Sequence, residues 1–170
     1  LERLQSASKA FVRELIHKAR AGSKKRIAFP EGGETKILQA AQQLLDEEIA
    51  TPVLMGDVAR MQARAAELDL TLDGAEYFDH WDDSRRQEVI QRYYQMRQRK
   101  GVTHAEAVAH MKHREAYGMM LLKMGRVDGV VSGVTRAYQA TMRPALQIVG
   151  VRRPGGRASG SRVSLGQMSC

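Results

Sequence analysis

The residues best suited to do chemistry gather in one stretch: Ser132, Thr135, Arg136, Thr141 and Arg143. Hydroxyls and guanidinium groups are the donors a phosphate needs, and a planar guanidinium can hold two phosphate oxygens at once. Two elements must position them. Val127, Val130 and Val131 form a short β-branched run, broken by Gly129 and stopped by Ser132 and Gly133, which suits a buried strand ending at a loop. Thr141 is placed to cap a helix with Arg143 and Pro144 in its first turn. Ala145, Leu146, Ile148 and Val149 continue it as an apolar face. Strand, polar loop and helix N-terminus form the unit at which α/β proteins bind anions. An ordinary turn with surface arginines fits the same pattern, so both readings stand at this level.

Three motifs, in order, carry a resemblance. They are Phe29-Pro30-Glu31-Gly32; the run Met96 to Thr103, with Arg97, Lys100 and Gly101; and Gly125 to Val149, with Ser132-Gly133 and Thr141-Met142-Arg143-Pro144-Ala145-Leu146-Gln147-Ile148. Together they resemble the signature of the phosphate acetyl/butyryltransferase family, in which G-D-A-D-G-x-x-S-G leads into T-x-R-P-A-L-Q-I-I. Arg126 and Val127 depart from the usual Asp-Ala. The middle, Thr135-Arg136-Ala137-Tyr138, is closer to the carboxy-terminal domain of large bacterial NADP-dependent malic enzymes.

The resemblance covers about residues 9–150, roughly the first half of a family domain. It implies a three-layer α/β/α fold with a mainly parallel sheet, of the isocitrate/isopropylmalate dehydrogenase-like kind, incomplete at its carboxyl end. It places Arg97 and Arg143 in the cleft that meets acyl phosphate or the phosphates of coenzyme A, with Lys100 as a weaker point charge. Ser132, Gly133 and Thr135 would add backbone and hydroxyl donors. Without the resemblance, Arg97 reads as a solvated helix end.

The family's general base, an Asp, and its Ser-Arg pair lie in the later half, so no catalytic residue is expected within this chain. The resemblance implies coenzyme A or acetyl-CoA as ligand, with no cofactor held by the chain itself. NADP and a divalent metal would enter only through an upstream malic-enzyme domain. Small-molecule acyl phosphates or acyl-CoAs are the expected partners, with a homo-oligomeric parent. On the malic-enzyme reading the domain is a sensor that binds acetyl-CoA without acyl transfer. The alternative is the amino-terminal piece of a genuine phosphate acetyltransferase.

The remaining elements alternate. A helix is expected over residues 6–20, ended by Gly22, then a strand over 25–30 and an amphipathic helix over 35–48. A buried strand at 52–55 and a helix to about Leu68, capped by Asp57, follow. A short strand over 75–78 precedes a long helix from Asp82 or Asp83 to about Gln98. Thr103 and Glu106 form a capping box for the next helix, and 117–124 is helical again. Such alternation argues for a parallel sheet covered by helices.

With 170 residues, one domain with a real core is expected, and no apolar run approaches a membrane span of about 20 residues. One cysteine, Cys170, excludes an internal disulfide framework. That lone cysteine fits a reducing cytoplasm, and the start at Leu1, with no signal-peptide pattern, looks like a cut from a longer chain. The net charge of +8 would draw anions or nucleic acid. Four of those charges, Arg152, Arg153, Arg157 and Arg162, fall in a Gly/Ser/Arg-rich tail over 151–170 that resembles nothing in the family and is expected to be disordered. Charge elsewhere is spread over amphipathic helices with only 5% aromatics, which disfavours a nucleic-acid module.

His104, His110 and His113 lack the cysteines or carboxylates that would complete a metal site and read as solvated helix residues. Met111, Met119, Met120 and Met124 read as core filler. The Pro30 to Gly33 turn could cradle phosphate, but Glu31 would repel an anion, which makes the turn structural.

Overall fold

The computed structural model describes residues 13, 14, 16–135 and 138–150. A leading helix, α1, covers 16–21; the expected part over 6–12 lies outside the described residues, as does the tail over 151–170. The chain continues through β1 (Lys25–Phe29), α2 (Thr35–Asp46), β2 (Ala50–Met55), α3 (Val58–Glu67), β3 (Glu76–Phe78) and α4 (Arg86–Arg97). A 3-10 turn (Gln98–Lys100), α5 (His104–His110), α6 (Arg114–Lys123), β4 (Gly129–Val130) and α7 (Tyr138–Ile148) complete it. All strand pairs are parallel, in the order β3-β2-β1-β4.

The strand residues alternate between two cores, as the period of two in a pleated strand requires. Ala28, Val53, Met55 and Val130 face one, with Val89, Ile90 and Tyr93 of α4 and Tyr117, Met120 and Leu121 of α6. Phe29 and Leu54 face the other, with Ile37, Leu38 and Ala41 of α2 and Met61 and Ala65 of α3. Helices therefore cover both faces of the sheet, giving the three layers that the resemblance implied. Met111, Met119 and Met120 are buried in the first core and Met124 packs against it.

The sequence places two helix starts differently. α4 begins at Arg86, later than Asp82 or Asp83. The Asp83 carboxylate is drawn into the protein instead, where it accepts from Tyr117 Oη at 2.6 Å and from the Arg85 amide at 3.0 Å. α7 begins at Tyr138, ahead of Thr141, and takes Pro144 into its interior. β4 is only two residues long, although the Asp128 and Val131 amides extend its pairing by donating to Arg26 O and Ala28 O.

At the amino ends of the strands, Arg26 donates twice to Glu76, at 2.9 and 2.5 Å, and its amide donates to Asp128. Arg126, where the family pattern has Asp, reaches Glu88 of α4 at 3.1 Å. These cations serve the end of the sheet opposite the loop that follows β4.

The capping box at α5 is complete: Thr103 Oγ1 accepts from the Glu106 amide, and Glu106 accepts from the Thr103 amide at 2.7 Å. Thr103→Ala should cost about 1 kcal/mol, a fall in melting temperature of roughly 2–4 °C for a chain of this size. Thr103→Ser, which keeps the acceptor, should melt within a degree or so of wild type. Equal losses in the two variants would show that the cap contributes nothing.

Candidate functional site at the carboxyl end of the sheet

β1 and β4 lie side by side, so the turn after Phe29 and the loop after Val130 emerge together at the carboxyl edge of the sheet. Glu31 sits in the first of these and is 3% exposed. Its carboxylate reaches across to the second. Oε2 accepts from the amides of Gly133 at 2.7 Å and Val134 at 3.0 Å. Oε1 accepts from the Thr135 amide and from Thr135 Oγ1, both at 2.7 Å. Ser132 Oγ stands 3.4 Å from Oε2. Burial pushes the Glu31 pKa up, but hydrogen bonds from Thr135, Val134 and Gly133 outweigh it and bring it down to about 2.

The turn is fixed by close packing. The Gly32 amide donates to Met55 O, and a Cβ at Gly32 would stand 2.8 Å from Met55 N and 2.9 Å from Met61 Sδ. Only glycine lets the chain pass the end of β2 this closely. In the facing loop Gly133 has φ +113°, a conformation that side chains rarely adopt. Two glycines therefore set the approach of Glu31 to its donors.

The loop residues singled out from sequence are thus brought together, around Glu31. Thr141 is half-buried inside α7, with Oγ1 3.5 Å from Ser132 Oγ. Arg143 is exposed in the second turn of α7, with buried Met142 and Ala145 on the helix face beside it. Arg136 lies outside the described residues.

Arg97 and Lys100 stand apart. α4 and α6 run side by side, since Tyr117 meets Asp83 at one end while Met96 and Met124 line a common groove at the other. The Gly118 site on α6 packs against Pro30 and Met55 at the carboxyl ends of β1 and β2. α4 therefore runs away from that end, and Arg97 lies roughly 16 Å along it from Arg86, at 1.5 Å per residue. The Arg97 Nε is buried without a hydrogen-bond partner among the described residues. Lys100 is exposed at the end of the 3-10 turn. Tyr94, Arg99, Gly101 and His104 line an open groove of about 670 Å³ beside this segment.

A second polar cluster follows β3, where the sequence supports no chemistry for Trp81 beside Asp82 and Asp83 and does not single out His80. His80 is 3% exposed; its Nε2 is 3.1 Å from Lys112 O, which can only accept, so Nε2 carries the proton. Burial lowers its pKa. Trp81 packs on the His80 ring and takes the Arg86 guanidinium over its face at 4.3 Å. Among the described residues no group of three His, Cys, Asp or Glu is placed to hold a metal, and no helix is long and apolar enough to cross a membrane.

A four-stranded parallel sheet covered by helices on both faces defines an α/β domain of the three-layer class. The family model described as phosphate acetyl/butaryl transferase matches residues 10–165. The chain is 35% identical over 143 residues to a phosphate acetyltransferase of Corynebacterium glutamicum and 33% over 140 residues to that of Bacillus subtilis. These alignments cover 84% and 82% of this chain but 43% of each relative. The EutD phosphotransacetylase of Staphylococcus aureus superposes with a TM-score of 0.75 at 30% identity, over 86% of this chain and 44% of that one. A phosphotransacetylase from Streptococcus pyogenes gives 0.73 at 27%, over 81% and 42%. The chain belongs to the phosphate acetyl/butyryltransferase family, and it spans less than half the length of these relatives.

Proposed function

We propose that this chain is the amino-terminal part of a phosphate acetyltransferase, contributing one wall of the site where acetyl-CoA and phosphate exchange for acetyl phosphate and coenzyme A. The observation that carries this reading is Arg143, exposed in the helix that leaves the donor-rich loop at the carboxyl end of β4. In the direction of acetyl-CoA formation, the coenzyme A thiolate attacks the acetyl carbon. The carbon–oxygen bond to phosphate breaks, and phosphate leaves with the electron pair. Arg143, with Arg136 and the hydroxyl of Thr141, holds phosphate oxygens, while Ser132, Gly133 and Thr135 shape the loop beneath them. Coenzyme A carries several phosphates along an extended molecule, so Arg97 and Lys100 serve as a separate anion contact.

The resemblance assigns the general base and the Ser-Arg pair to the later half of the domain, so the 170-residue chain by itself should not turn over. Acetyl-CoA formation from acetyl phosphate and coenzyme A above a boiled control would contradict this. Binding tests the reading more directly. Charged hydrogen bonds contribute about 1.5–3 kcal/mol each, so coenzyme A should bind the chain at least about tenfold more tightly than its 3′-dephospho form. Equal affinities would show that phosphate contacts do not drive binding.

The run Thr135-Arg136-Ala137-Tyr138 favours a second reading, a sensor domain of an NADP-dependent malic enzyme that binds acetyl-CoA without transferring the acetyl group. The phosphate acetyltransferases to which the chain is similar favour the first. A malic-enzyme parent should form NADPH from malate and do so more slowly with acetyl-CoA; a parent that forms no NADPH from malate leaves the transferase reading alone, and malate turnover indifferent to acetyl-CoA contradicts the sensor reading.

A further inference from the structure

Three successive amides converging on one anion make a nest, an arrangement that proteins use to hold phosphate. Here the nest of Gly133, Val134 and Thr135 is filled from within by the Glu31 carboxylate, at 2.7–3.0 Å. Glu31 comes from the turn after β1, 102 to 104 residues away in sequence. A carboxylate tethered by its own backbone cannot diffuse away, so it orders the loop whether or not a ligand is present. It also closes the nest to the ligand's phosphate, which must then be met by side chains beyond the loop.

We propose that Glu31 is the positioning residue of this site: its carboxylate occupies the 133–135 nest as a built-in anion, fixing the loop that precedes α7 with its Thr141 and Arg143. The inference rests on the proposed function for the identity of the ligand, and on geometry alone for the nest. Two consequences separate it from a merely structural contact. Emptying the nest should convert it into a binding site for a small anion, and filling it again should restore the loop.

The test uses nitrogen-15 NMR and hydrogen exchange on the 170-residue chain. In Glu31→Ala, formate should shift the amide resonances of Gly133, Val134 and Thr135 and return their exchange rates toward wild type. The same titration should leave wild type unmoved. Glu31→Gln keeps the size but loses one acceptor oxygen, and should speed exchange of these three amides at least tenfold while Val53 and Leu54 stay protected. Should the alanine variant fail to fold, the glutamine variant decides. Unchanged exchange in Glu31→Gln, or a folded Glu31→Ala whose loop ignores formate, overturns the proposal.

Coenzyme A titration of the same proteins reads the link to function. At least tenfold weaker binding to Glu31→Ala, partly recovered by formate, supports positioning; unaltered affinity with a loosened loop overturns it. Failure of wild type to bind coenzyme A would count against the proposed function, while the formate and exchange results still judge the nest.

Discussion

Gly32→Ala should lower the stability of the chain by about 3 kcal/mol, toward the upper end of what overpacking a tight interior costs. The added methyl would meet Met55 N at 2.8 Å, Met61 Sδ at 2.9 Å and Met55 O at 3.0 Å. Two of these three atoms belong to the backbone at the buried end of β2, so neither can swing aside. Met61 is itself 1% exposed. Relief requires the turn to lift away, which breaks the hydrogen bond from the Gly32 amide to Met55 O and withdraws the neighbouring Glu31 from its nest. At roughly 2–4 °C per kcal/mol, the melting temperature should fall by about 10 °C. Gly33→Ala is the control. Its Cβ would meet only Met61 Cγ, at 3.9 Å, and the cost should stay within about 0.5 kcal/mol. Similar losses in the two variants would show that the close approach at Gly32 is not what holds the turn.

Acid should weaken the fold through Glu31. Its pKa is about 2 in the folded chain against an ordinary value of 4.5. The folded state therefore binds this proton less readily than the unfolded state does. The stabilisation is fully present above about pH 4.5 and is lost as the pH falls toward 2. At about 1.36 kcal/mol per pKa unit, the contribution is on the order of 3 kcal/mol. Asp83, whose pKa is pushed up by burial but brought below its usual value chiefly by Tyr117, adds a loss of the same sign. Denaturant unfolding at pH 7, 4.5, 3 and 2.5 separates them. Glu31→Gln should start less stable and lose less between pH 4.5 and 2.5 than wild type does. Parallel declines in the two proteins would place the acid sensitivity elsewhere.

Much of the scaffold was legible in the sequence because it rests on local patterns. The four strands, the helices between them and the Thr103 to Glu106 capping box all follow from apolar period and side-chain chemistry within a few residues. The strand order β3-β2-β1-β4 depends on pairings across the whole chain. The start of α4 shifted because Asp83 found Tyr117, 34 residues ahead. The site shows the same divide. Its loop is visible as a cluster of hydroxyls and arginines, but the sequence shows the group that organises it only as a charge that repels anions. Repulsion holds for a free anion at that turn, but the carboxylate is itself the anion, through a contact spanning more than 100 residues that no local pattern encodes. The available signal was Glu31 placed between Pro30 and Gly32 at the end of a core strand, inside one of the three family motifs.

On the proposed function, the guanidinium of Arg143 holds phosphate-bearing ligands such as coenzyme A at the carboxyl end of the sheet. Calorimetric titration of coenzyme A into wild type, Arg143→Ala and Arg143→Lys tests it most directly. Arg143 is exposed, so both variants should keep the wild-type melting temperature. Loss of one or two charged hydrogen bonds at about 1.5–3 kcal/mol each should weaken binding to Arg143→Ala at least about tenfold. Lysine, a single flexible charge, should recover only part of the affinity. Superimposable isotherms for wild type and Arg143→Ala would contradict the account.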